Sequence, residues 1–127
     1  MLQSTAIQYY AAYAQAQDTV PKTRQVVMLY DGVLRFIRQA RQAGEQQDYE
    51  KQYSMLDNAR TVILALHTSL DFEKGGEVCR SLDTFYQSLY IQLFRLHVNE
   101  DNAAWDGVIA NIVALKEAWE EVEKKLL

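Results

Sequence analysis

A chain of 127 residues, 49% hydrophobic and 24% charged, has the balance of one globular domain and excludes an extended disordered chain. Five glycines and one proline leave too few turn positions for a β-sandwich or a parallel sheet, which favours long helices. The formal charge of −4 (13 Lys and Arg against 17 Asp and Glu) comes without a contiguous basic stripe, so no nucleic-acid partner is expected.

The first 17 residues carry no charge, but Gln3, Ser4, Gln8 and Gln15 interrupt them. They lack the basic start and apolar middle of a signal peptide and the length of a membrane span, so no membrane insertion and a cytoplasmic (cytosolic) location are expected. Ile7, Tyr9, Tyr10 and Tyr13 stand there among alanines and glutamines. Residues 1–20 therefore read as a flexible N-terminal arm able to lie on the rest of the chain.

Residues 21–127 read as an antiparallel up-down four-helix bundle, an all-α fold, with helices over about 21–43, 48–70, 76–98 and 102–126. Pro21 suits a first helical position and Gly44 a C-terminal cap. Val26, Tyr30, Val33, Ile37 and Ala40 recur between them at helical spacing. Asp48 is placed to cap the next helix, whose seam holds Met55, Leu56, Ala59, Val62, Ile63, Leu66 and Leu70, and Gly75 and Gly76 are expected to stop it. The third seam runs through Val78, Leu82, Phe85, Leu89, Leu93 and Leu96. After a polar break at Asn99 to Asn102, the last helix follows the most regular seam: Trp105, Val108, Ile112, Leu115, Trp119, Val122 and Leu126.

A bundle helix needs one apolar stripe, and apolar residues beyond it call for further burial or a partner. On a wheel of 100° per residue counted from Val78, the third seam lies between about 340° and 60°, whereas Ile91, Phe94 and Val98 fall near 220°, 160° and 200°. They form a hydrophobic strip facing away from the seam. Met28 lies opposite the first seam, Leu29 and Phe36 flank it, and Ile109 and Val113 lie beside the last one. Each such side chain, covered by a partner, contributes roughly 1.5–3 kcal/mol of transfer energy before ordering costs.

Catalytic and cofactor chemistry find no foothold. Cys79 is the sole cysteine, so neither a disulfide framework nor a thiolate zinc cluster is expected. His67 and His97 are preceded three residues earlier by Leu64 and Phe94 rather than the Glu of a bundle carboxylate-metal site, and no metal is expected. Lys74-Gly75-Gly76-Glu77 lacks the spacing of a nucleotide loop. Ser69, Ser81 and Ser88 have no placed base. The chain therefore reads as a non-enzyme without cofactors. Two other readings stay open: a histidine phosphotransfer module using His67, and a homodimeric helical adaptor using the apolar strip.

Met28-Leu29-Tyr30-Asp31-Gly32 with Phe36-Ile37 and Ala40 resembles the first helix of the FliS family of flagellar secretion chaperones. Leu70 to Glu77 leading into Leu82 and Tyr86, the later Glu117-Ala118-Trp119, and Ile7-Gln8-Tyr9-Tyr10, similar to that family's N-terminal Ile-x-x-Tyr, extend the resemblance over nearly the whole chain. The resemblance implies a cytoplasmic export chaperone that holds the disordered C-terminal segment of flagellin in apolar grooves, so that subunits do not polymerise before flagellar type III secretion. On that basis Met28, Leu29, Phe36, Ile91, Phe94, Val98, Ile109 and Val113 are the candidate flagellin-binding residues, and Ile7 and Tyr10 the candidate anchors of the arm. Docking to a flagellar export-gate protein, and monomer against dimer, stay open at this point.

Overall fold

The computed structural model describes residues 2–13 and 22–126, and every element among them is a helix: α1 (Leu2–Ala12), α2 (Lys22–Glu45), α3 (Tyr49–Thr68), α4 (Phe72–Arg95) and α5 (Asn102–Leu126). The expected helix start at Pro21 and the side chain of Leu126 lie outside the described residues. The last four helices form the expected bundle. α3 packs on α2 and α4, and α5 packs on α2.

Side-chain pairs fix the directions. Arg24 lies 3.8 Å from Glu123, Asp31 2.6 Å from Lys116 and Arg41 2.8 Å from Asp106, so α2 and α5 run antiparallel, joined by a ladder of charges. Exposed pairs of this kind contribute little stability each, about 0.2–1 kcal/mol, but they set register. Between α3 and α4 the Arg60 Nε donates to the Tyr90 carbonyl at 3.3 Å, and a ring nitrogen of His97 lies 3.1 Å from the Tyr49 carbonyl, again in antiparallel order. The interior is filled by Tyr30, Val33, Ile37, Ile63, Leu66, Leu89, Leu93, Ile112 and Trp119, all buried. Burying each aliphatic side chain of this set contributes on the order of 1.5–3 kcal/mol.

Asp48 caps α3 as expected, its carboxylate accepting from the Lys51 N–H at 3.1 Å. Three other boundaries differ from the sequence reading. Gly44 does not cap α2; it lies inside the last turn, where a Cβ would collide with the side-chain amide of Gln52. The left-handed residue after that helix is Gln47, with φ of 60°. The glycine pair does not separate two helices either. α3 ends at Thr68, and α4 starts at Phe72 because the Asp71 carboxylate accepts from the N–H groups of Glu73 and Lys74 at 3.1 and 3.2 Å. A satisfied first turn forms ahead of the glycines. Gly76, at φ 52° and ψ −127°, then kinks α4 in a conformation few other residues accept. Finally, α4 ends at Arg95, so Val98 lies beyond the helix, itself at φ 60°, with its N–H donating to the buried Gln52 Oε1 at 2.8 Å.

The largest departure is at the start of the chain. The described part of the expected arm is a helix, α1, packed on both α4 and α5, while α4 and α5 barely touch each other. The bundle is therefore closed at that seam by a fifth, short helix.

Candidate functional site

Two apolar regions flank α4. One is the seam between α4 and α5, where α1 sits. α1 and the turn residue that follows it present Tyr9, Ala12 and Tyr13, at the spacing of one helical face, with Ala12 and Tyr13 buried and Tyr9 partly so. The rings of Tyr9 and Tyr13 lie 5.0 and 5.5 Å from that of Trp119 on α5. Such aromatic pairs contribute about 0.5–1.5 kcal/mol beyond area burial. Ala12 rests on Gly75: a Cβ added there would stand 2.9 Å from the Ala12 Cα. The Asp71 N–H donates to the Ala12 carbonyl at 2.8 Å, so the C-terminal end of α1 meets the N-terminal end of α4.

Beneath that contact three hydroxyls meet. Tyr86 OH is hydrogen-bonded both to Tyr13 OH and to Tyr30 OH. Burial pushes all three phenols well above their usual value, and the neighbouring phenols reinforce the shift, so they stay protonated. The buried Trp119 Nε1 has no hydrogen-bond partner of normal geometry among the described residues. These bonds explain why Tyr86 rather than Phe85 lies fully inside: Phe85, expected in the seam, is only partly buried, and Tyr86 can be buried because its hydroxyl is satisfied.

Two grooves lie along α4 and α5, one of them bordered by Tyr9 of α1. One groove of about 360 Å³ is lined by Leu96, Ala104, Gly107, Val108 and Asn111, and another of about 370 Å³ by Tyr9, Val78, Leu82, Phe85 and Leu115.

The second region is the face shared by α3 and α4. Ile91 is 50% exposed, Phe94 55% and Leu64 46%. A groove of about 270 Å³ runs between the helices, lined by Ile63, Leu64, His67, Tyr90 and Ile91. The Arg60 guanidinium lies 4.1 Å from the Tyr90 ring and 4.9 Å from that of Phe94, which fixes these rings at the surface through cation–π contact. At the far end His67 is partly buried, and its Nε2 is bonded to Asp83. That hydrogen bond, with a second from the Gln87 amide at 3.1 Å, holds the Asp83 carboxyl below its usual range. One ring nitrogen of His67 is thus already engaged.

The eight candidate binding residues are not brought into one patch. Ile91 and Phe94 share the α3–α4 face, whereas Val98, 53% exposed, lines a more polar cavity at the end of the bundle with Gln52 and Trp105. Met28 and Leu29 are exposed on α2. Phe36, Ile109 and Val113 are partly buried against the core, and the Arg35 guanidinium lies 5.6 Å from the Phe36 ring. The proposed arm anchors do not hold the arm. Ile7 is 63% and Tyr10 44% exposed, because the face that docks is that of Tyr9, Ala12 and Tyr13. Their i, i+3, i+4 spacing was a visible helical signal. Leu64 went unnoticed because a single apolar residue off the seam carries no pattern.

Among the described residues no helix is long and apolar enough to cross a membrane, and no cluster of His, Cys, Asp and Glu could hold a metal ion. The Cys79 thiol is buried, and burial pushes its pKa up, which disfavours a thiolate.

Comparison with known proteins adds an independent finding. The sequence profile of the family described as flagellar protein FliS matches residues 5–126. The flagellar secretion chaperone FliS of Campylobacter jejuni is 35% identical over 115 residues, covering 89% of each chain. FliSB of Pseudomonas aeruginosa is 29% identical over 86% of each chain, and FliS of Bacillus subtilis 29% identical over 88% of this chain and 84% of its own.

Proposed function

The chain belongs to the FliS family of flagellar secretion chaperones, and from that premise we propose that it is a cytoplasmic, non-enzymatic chaperone for flagellin. It binds the disordered C-terminal segment of flagellin as that segment gains helices, and so blocks polymerisation before flagellar type III export. The observation that supports this reading is the α4–α5 seam, which in this chain holds a short helix of its own through Tyr9, Ala12 and Tyr13. A client helix laid into such a groove is recognised through anchors spaced by three and four residues. The open α3–α4 face, with Leu64, Ile91 and Phe94, extends the apolar surface, and Met28 and Leu29 add contacts on α2.

A wide surface is needed because ordering a disordered client opposes binding by roughly 2–5 kcal/mol. Ile91→Asp and Phe94→Asp replace exposed side chains and are expected to keep the far-UV helical signal. Each should weaken the calorimetric affinity for the flagellin C-terminal segment at least tenfold, the equivalent of about 1.4 kcal/mol. Unchanged affinity with unchanged helicity would remove the α3–α4 face from the client surface.

A further inference from the structure

At the far end of α4 from the Ala12–Gly75 contact, the bundle closes around a buried amide. Val98 holds φ of 60°, a conformation that strains a β-branched residue, and its side chain is 53% exposed, so burial does not offset the strain. What holds it is Gln52, only 2% exposed, whose Oε1 accepts from the Val98 N–H at 2.8 Å. That bond settles which amide atom is the oxygen. Nε2 therefore lies against Gly44, where the missing Cβ makes room for it. It makes no hydrogen bond to any described residue, although a buried amide ordinarily finds one. Two neighbouring donors are engaged. The Trp105 indole N–H donates to the Asn99 carbonyl at 2.8 Å, and the Arg41 guanidinium to Asp106 at 2.8 Å and to Asn102 Oδ1 at 3.2 Å. Gly44, Gln52, Val98 and Trp105 line one cavity of about 240 Å³, together with the exposed Glu45 and Glu100.

We propose that this cavity is a binding site for a side-chain carboxamide, an exposed Gln or Asn of a partner protein. The pattern of donors and charges names that group. Gln52 Nε2 calls for an acceptor oxygen, which an ammonium or guanidinium lacks. Two carboxylates, beside a cation already committed to Asp106, disfavour an anion. A hydroxyl offers a single hydrogen for the two carboxylates. A carboxamide is neutral, gives its oxygen to Gln52 and its N–H groups to Glu45 and Glu100, and lays its methylenes on Val98 and Trp105. An occupant also accounts for Val98: Gly or Asn would relieve the strain there but would remove the apolar wall. The site does not depend on the flagellin reading.

The test follows the Gln52 side-chain NH₂ and Val98 N–H signals in ¹H–¹⁵N spectra of the full chain as three probes are added: the N-acetyl, N-methylamide derivatives of glutamine, glutamate and methionine. The three share their backbone amides and differ only at the end of the side chain. The glutamine probe should shift both signals saturably at about millimolar concentration, and the other two should bind at least about fivefold more weakly. Equal shifts with all three probes, or shifts with none, overturn the proposal. Gln52→Glu keeps an acceptor for the Val98 N–H and removes the free donor, so the Val98 signal should no longer respond to the glutamine probe; a response that persists overturns the role of Nε2. Because a buried carboxylate can unfold the chain, a surface variant decides independently. In Glu45→Gln with Glu100→Gln, the glutamate probe should gain at least about threefold on the glutamine probe. A ratio that does not move overturns the assignment of the ligand.

Discussion

The two regions beside α4 are both apolar, yet they are finished in opposite ways. At the α4–α5 seam every device is directional: a glycine whose missing Cβ lets the Ala12 backbone come close, a backbone N–H aimed at one carbonyl, and three phenols bonded through one oxygen. At the α3–α4 face the contacts are non-directional: Leu64 and Ile91 on a shallow groove, and Phe94 held by the stacked Arg60. The first arrangement discriminates between occupants and the second supplies area. Discrimination of this kind comes from buried polar groups that must be satisfied, whereas apolar area by itself separates partners weakly.

The contrast is tested first by truncation. Trp119→Ala removes a fully buried ring that touches Tyr9 and Tyr13, and is expected to cost about 3–5 kcal/mol of unfolding free energy in urea. Phe94→Ala, on the open face, should cost no more than about 0.5–1 kcal/mol, mostly the lost stacking with Arg60. Comparable costs at the two positions would mean that the α3–α4 face is core rather than a free surface.

A smaller effect is expected from acid. The Asp83 carboxyl is held below its usual range by its hydrogen bonds to His67 and Gln87, so its folded-state value lies below its unfolded one. Its contribution to stability is therefore complete above the ordinary carboxylate value and is lost as pH falls through the lower folded value. Asp83→Asn should flatten the acid limb of the urea midpoint against pH and leave the neutral region with only a small uniform drop. An unaltered acid limb would show that the pair does not couple α3 to α4 in solution.

Much of the bundle was legible in the sequence because its four long helices carry seams at regular spacing; Val26, Tyr30, Val33, Ile37 and Ala40 on α2 are all buried as read. Periodicity is a local signal, and it names the face a helix hides. It failed where a non-local contact decided the outcome. Gly44 reads as a cap by composition, but its role is set by Gln52 across the turn. Gly75 and Gly76 read as a stop, but Asp71 had already satisfied the first turn of α4, and Gly75 serves the approach of Ala12 from a helix about sixty residues earlier. Tyr86 reads as marginal until the hydroxyls of Tyr13 and Tyr30 are found beside it. For the candidate site the off-seam positions of Ile91 and Phe94 were readable from the wheel, and both are exposed. Val98 was assigned by the same wheel although the helix stops before it, and Ile7 and Tyr10 were assigned by a motif whose spacing does not follow the face that docks.

The central claim is that a flagellin helix takes the seam now filled by α1 while the rest of the segment covers the α3–α4 face. Amide hydrogen exchange of the full chain, with and without a saturating amount of the flagellin C-terminal segment, tests it most directly. The expected result is faster exchange at Tyr9 to Tyr13 and slower exchange along α3 and α4 around Leu64, Ile91 and Phe94. Unchanged exchange in both places while the segment is bound would contradict it.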